Sequence, residues 1–168
     1  MCIRDSASCM TSRPLALARR IVLVAGLFVG PGLVVTAAPA QAYTPTAATV
    51  ASYEARVIYQ INVQRTKYAH GKLAAGTCPD KYAETWAAYL ARTRTFYHRN
   101  MTTILVGCSA TRAAENLARG YSADGTVVAW MASPGHRANV LDGSLTRIGV
   151  AAVYANGQWT VAANFTRG

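Results

Sequence analysis

Ile148-Gly149-Val150-Ala151-Ala152-Val153-Tyr154-Ala155, then Asn156-Gly157, then Gln158-Trp159-Thr160-Val161-Ala162-Ala163-Asn164-Phe165, is the clearest local signal in the chain. Ile148, Val150, Ala152 and Tyr154 alternate before the turn, and Trp159, Val161, Ala163 and Phe165 alternate after it. Asn-Gly between two alternating runs specifies a two-residue hairpin, because both turn residues must take positive φ. In that register Tyr154 faces Trp159 and Ile148 faces Phe165, so both apolar sets fall on one face, expected to pack against helices.

The helices lie upstream. Val50, Tyr53, Val57, Ile58 and Ile61 recur at three- and four-residue spacing, one stripe of a helix running to about Tyr68 and ended by His70-Gly71. Pro79 and Asp80 open a second, with Tyr82, Ala83, Trp86, Ala87 and Leu90 inward. Residues 95–112 show no period and read as a long connection holding His98 and Cys108. A short segment, residues 113–119, leads to Gly120. Another helix follows with Asp124 as its cap and Val127, Val128, Trp130 and Met131 inward, broken by Ser133-Pro134-Gly135. Helices against a small antiparallel sheet make an α+β sandwich. Trp86, Trp130 and Trp159 are all expected in the core rather than in a sugar-stacking platform.

The N-terminal third reads as a leader. Arg13, Arg19 and Arg20 precede an apolar run from Ile21 to Val35, and small residues end at Ala40-Gln41-Ala42, the order of a secretory signal. The run is interrupted by Gly26, Gly30, Pro31 and Gly32, which weighs against the alternative of an uncleaved anchor. The surroundings of Arg19-Arg20 do not extend a twin-arginine pattern, which favours the general secretory route. Residues 1–9 fit no part of such a signal, whereas Met10 starts a well-formed one, so they are read as a non-native extension. The expected organisation is residues 1–9 extension, 10–42 signal peptide cleaved after Ala42, and 43–168 one secreted, monomeric domain.

Residues 43–168 hold 13 basic and 6 acidic side chains, a net +7. Such a charge favours anionic wall polymers or lipid headgroups as partners. Nucleic acid is not expected, because the basic residues are scattered singly and no nucleic-acid module is present. Of four cysteines, Cys2 and Cys9 fall before residue 43, leaving Cys78 and Cys108. An even pair in an oxidising compartment reads as a disulfide, with two separate buried thiols as the alternative.

Five pieces in order then carry a resemblance: Ile61-Asn62-x-x-Arg65; Phe96-Tyr97-His98; Ala114-Glu115-Asn116-Leu117-Ala118-x-Gly120; Trp130-Met131-x-Ser133-Pro134-Gly135-His136-Arg137-x-Asn139-x-Leu141; and Ile148-Gly149-Val150. Together they resemble the bacterial branch of the CAP superfamily, the SCP-like extracellular domains, over about residues 50–166. The resemblance implies a three-layer α-β-α sandwich, secretion, and a surface cleft where two His and two Glu converge. His98, Glu115 and His136 match three of these. The second Glu is absent, since Met131-Ala132-Ser133 runs straight into Pro134.

Two imidazoles and a carboxylate suit zinc or another divalent metal with an open position, although no cofactor motif is present. The same groups suit Glu115 as a catalytic general base beside a metal-bound water, or a hydrogen-bonded network with neither metal nor turnover. Arg65 and Arg137 are expected to brace loops through backbone carbonyls or a carboxylate, and Asn62 and Asn139 to hold loops by side-chain to backbone bonds. Asn116 and Trp130 complete the structural motif. Three functions follow: a secreted module binding a small apolar or lipidic ligand, which is the preferred reading; a metal-dependent hydrolase of wall polymer or peptide; and a structural envelope protein working through its basic surface.

Overall fold

The computed structural model describes residues 43–168, so the leader and its cleavage point lie outside the described residues. The elements run α1 (Ala47–Lys67), β1 (Ala74–Ala75), α2 (Thr77–Thr93), α3 (Met101–Gly107), β2 (Arg112–Arg119), α4 (Ala123–Ala132), α5 (Pro134–Val140), β3 (Arg147–Ala155) and β4 (Gln158–Arg167).

The hairpin forms in the expected register, Tyr154 opposite Trp159 and Ile148 opposite Phe165. Asn156 and Gly157 take φ of 52° and 77°, the positive values that the turn demands. The sheet order is β1-β3-β4-β2. β2 pairs antiparallel with β4, and the two-residue β1 adds a short parallel edge to β3. The antiparallel sheet expected from the sequence therefore gains one parallel strand.

Both faces of the hairpin are covered, not one. On the first, Ile148, Val150 and Ala152 of β3 and Val161, Ala163 and Phe165 of β4 join Tyr53, Val57 and Ile61 of α1, Val127 and Trp130 of α4, and Val140 of α5. On the second, Ala151, Ala162 and Leu117 meet Ala83, Ala87 and Leu90 of α2. The second face is thus built of small residues on β3, Gly149 and Ala151, and on β4 of Ala162 beside the buried polar Thr160, Asn164 and Thr166. Small residues on the second face let α2 lie close, and the result is the three-layer α-β-α sandwich.

Local chemistry explains where the elements begin and end. Thr46 caps α1, its side chain accepting from Thr49 N at 3.2 Å. α2 starts at Thr77, two residues before Pro79, and its first turn is tied to the end of α3 by the Cys78–Cys108 disulfide, Cα to Cα 5.6 Å. Residues 95–112 are not all connection. Asn100 caps α3 by accepting from Thr102 N, but this seven-residue helix buries only Ile104, too little to show a period, and Arg112 already begins β2.

Ser122 caps α4, accepting from Gly125 N, while Asp124 in the first turn accepts instead from Arg56 and Gln60 of α1. Val128 is 70% exposed, and the inward position goes to Thr126, whose hydroxyl meets the Tyr53 hydroxyl at 2.9 Å. Ser133-Pro134 ends α4 and immediately starts α5, with Pro134 in the first turn where its missing N–H costs nothing. Of the three tryptophans only Trp130 is fully buried; Trp86 and Trp159 are half-buried at the margins of the two core layers.

Candidate ligand-binding cleft

β2 is the open edge of the sheet opposite β1, and Glu115 sits at its middle. Its carboxylate is almost wholly buried, with 1% side-chain exposure. One oxygen, Oε1, lies 2.9 Å from His98 Nδ1 and accepts from the Arg99 backbone N–H at 3.1 Å. His98 is the outward member of this pair, its side chain 30% exposed. With Nδ1 directed at a carboxylate, the neutral ring carries its proton on Nδ1 and leaves Nε2 as a hydrogen-bond acceptor.

His136 comes from α5 and is buried. α5 is fastened to β2 by two asparagines. Asn116 Nδ2 donates to the His136 carbonyl at 3.0 Å, and Asn139 Nδ2 donates to the Glu115 carbonyl at 3.3 Å and to Asn116 Oδ1 at 2.9 Å. Burial lowers the His136 pKa below the usual imidazole value. Inside the cleft two polar atoms have no partner among the described residues, Glu115 Oε2 and His136 Nδ1.

The fold brings together all three residues anticipated from the sequence. The His98 and His136 ring centroids are 6.4 Å apart. Glu115 Oε1 is shared between two donors, while Glu115 Oε2 has no protein partner among the described residues. Among the described residues no group of three or more His, Cys, Asp or Glu is placed to hold a metal ion. His98, Glu115 and the Arg99 N–H form a hydrogen-bonded cluster with an outward imidazole, and His136 Nδ1 stands beside it without a protein partner among the described residues.

Other residues of the same sequence motifs hold the surrounding fold. Asn62 clamps Leu73, donating to its carbonyl at 3.1 Å and accepting from its N–H at 2.8 Å. Arg65, 1% exposed, donates to the carbonyls of Gly71, Val140, Asp142 and Leu145, as a loop brace should. Trp130 Nε1 donates to the Leu117 carbonyl at 2.9 Å, anchoring α4 to the middle of β2. Arg137 differs from expectation. It braces no carbonyl among the described residues and instead lies over the Tyr68 ring, 4.9 Å from its centre.

Arg99 was not singled out by sequence. Its guanidinium lies between Tyr82 and Trp86, 5.2 Å and 4.9 Å from their ring centres, and donates to Thr85 Oγ1. Trp86 in turn stacks on Tyr89 at 5.0 Å with 6° between planes. Clamping this side chain on α2 holds the Arg99 N–H toward Glu115. The available signal was Tyr82 and Trp86 four residues apart on one helix face, read as core.

The profile of the CAP family, described as the Cysteine-rich secretory protein family, matches residues 58–165. The chain belongs to the CAP family. The uncharacterised protein YkwD of Bacillus subtilis is 31% identical to this CAP protein over 133 residues, covering 74% of this chain and 52% of YkwD. The chain thus spans about half the length of this curated relative. Among solved structures, the domain superimposes on an extracellular SCP-domain protein of Bacillus anthracis (TM-score 0.66, 21% identity, 76% of this chain and 45% of the other). It also superimposes on an outer surface protein of Borrelia burgdorferi (TM-score 0.65, 20% identity, 69% and 92%). These likenesses fix the fold of this bacterial-type CAP protein.

Proposed function

We propose that this CAP protein is an exported binding module that holds a small, largely apolar ligand by a hydroxyl group donated to His98 Nε2. The observation that carries this reading is the His98–Glu115 pair: a buried carboxylate bonded to Nδ1 of a part-exposed imidazole at 2.9 Å. Such a pair fixes both the tautomer and the ring plane, so the free nitrogen is a pre-oriented acceptor that costs little to organise on binding. A hydroxyl fits it, whereas a free carboxylate would bring a like charge toward Glu115. Export is supported by the leader-like sequence of residues 10–42, the Cys78–Cys108 disulfide, and the extracellular designation of the B. anthracis relative.

The test uses a fluorescent sterol with a free hydroxyl and, beside it, 1-dodecanol and dodecanoate. The protein is expected to bind the two alcohols at micromolar concentration in preference to the acid. His98→Ala is expected to weaken alcohol binding about tenfold, the value of one hydrogen bond of about 1.4 kcal/mol, without a change in melting temperature. Equal binding by His98→Ala, or no binding of either alcohol, would overturn the proposal.

A further inference from the structure

A second cavity lies on the α2 side of the sheet, at the turn end of the hairpin. It has a volume of about 430 Å³ and is lined by Ala91, Arg94, Arg119, Ala155, Asn156, Gln158 and Thr160. Two arginines and three neutral polar side chains line it, with no carboxylate among them. Arg119 is held by several bonds, Arg94 by one. Arg119 donates through Nε to Thr160 Oγ1 at 3.2 Å and through Nη2 to the carbonyls of Leu90 and Thr95 at 3.1 and 2.6 Å, and its guanidinium rests 4.8 Å from the Phe96 ring centre. Those bonds cover carbonyls at the C-terminal end of α2, which would otherwise repel an anion. They leave Nη1 without a protein acceptor among the described residues.

Arg94 is placed at a conformational cost. It is the residue that ends α2, at φ 58°, a left-handed position that glycine ordinarily fills. Its Nη2 donates to Oδ1 of Asn156, itself at φ 52° in the hairpin turn, at 3.1 Å. Two left-handed residues thus meet across the cavity mouth, and Arg94 keeps Nε and Nη1 without a protein acceptor among the described residues. Strain at a cavity wall is a reason to look for a ligand there.

We propose that this cavity is a binding site for a phosphate ester, its oxygens accepting from Arg94 and Arg119, with Asn156, Gln158 and Thr160 as neutral donors at its margin. Arginine forks suit the tetrahedral oxygens of phosphate, and a cavity of this volume has room for the alcohol portion as well. The +7 balance of residues 43–168 favours the same charge class. The site is separate from the His98 cleft. Glu115 and Arg119 project from the same face of β2 four residues apart, about 13 Å along the strand.

The test is calorimetric titration of the domain with glycerol 1-phosphate, comparing wild type with Arg94→Gly and His98→Ala. Glycine is at ease at φ 58°, so Arg94→Gly is expected to fold with an unchanged or raised melting temperature. Wild type and His98→Ala are expected to bind saturably, and more weakly as salt rises. Arg94→Gly is expected to lose at least tenfold in affinity. Flotation with phosphatidylglycerol vesicles against phosphatidylcholine vesicles identifies the source: Arg94-dependent flotation assigns a lipid headgroup, and binding of the soluble ester alone assigns a free or polymer-borne phosphate. No saturable binding of the ester by wild type, or the same affinity in Arg94→Gly, would overturn the proposal.

Discussion

Gly149→Ala is expected to destabilise the domain by about 3 kcal/mol or more, at the upper end of what overpacking a core costs. Gly149 lies on β3 opposite Asn164 of β4, on the face that carries α2. A methyl group built on it would fall inside the backbone at Pro79 and Asp80, in the first turns of α2. Backbone cannot swing aside as the end of a long side chain does. The neighbouring bonds add to the constraint, since Asn164 Nδ2 donates to the Pro79 carbonyl and Gly76 N–H donates to the Ile148 carbonyl, holding the start of α2 against the sheet. To admit the methyl, α2 must lift from Ala151 and Ala162, opening the second core layer. Urea unfolding of the variant checks this, and a loss below about 1 kcal/mol would mean that α2 is less tightly seated than described.

Arg65→Ala is expected to cost about 4 kcal/mol, in the range for removing one member of a buried charged hydrogen-bond network. The guanidinium serves four carbonyls: Gly71 O at 2.6 Å, Val140 O at 2.9 Å, Asp142 O at 2.8 Å and Leu145 O at 3.3 Å. These come from the segment after α1 and from the stretch joining α5 to β3, so one side chain closes both connections at once. Burial lowers the Arg65 pKa, with the nearby Asp142 charge opposing, and the group stays charged at any ordinary pH. Alanine would leave buried carbonyls without donors. Arg65→Lys is expected to recover less than half of the loss, because a single ammonium cannot reach acceptors spread around a planar fork. Equilibrium unfolding of both variants is the measurement; full recovery by lysine would show that charge alone, not the fork, holds the loops.

Much of this molecule was legible because its signals are local. The hairpin register followed from Asn156-Gly157 and the alternation beside it, and α1 from its stripe. The second core layer was not, because Gly149, Ala151 and Ala162 give no contrast in an apolar-against-polar reading, yet their smallness is what admits α2. α3 escaped notice because one buried residue shows no period, and Asp124 was mistaken for a cap because its partners, Arg56 and Gln60, lie 64 or more residues away.

At the site, the sequence order brought His98, Glu115 and His136 to attention, and the fold does assemble them. Spacing could not tell how far apart the rings stand, 6.4 Å between centroids, or that Glu115 meets His98 through Oε1. Nor could it find Arg99 or Arg94. Each depends on what a single side chain meets across the fold: Tyr82 and Trp86 for the first, the turn at Asn156 for the second.

Both the cleft and the reading of it as a pre-oriented acceptor turn on the position of one proton. Two-bond nitrogen-proton correlation NMR of the imidazole rings at neutral pH reports it directly, with His98→Ala to assign the signals. His98 is predicted to be the Nδ1–H tautomer, with Nε2 unprotonated, and to shift toward the Nε2–H form in Glu115→Ala. An Nε2–H tautomer in the wild-type protein would contradict the account, because the outward nitrogen would then be a donor and Glu115 would not be the group that sets it.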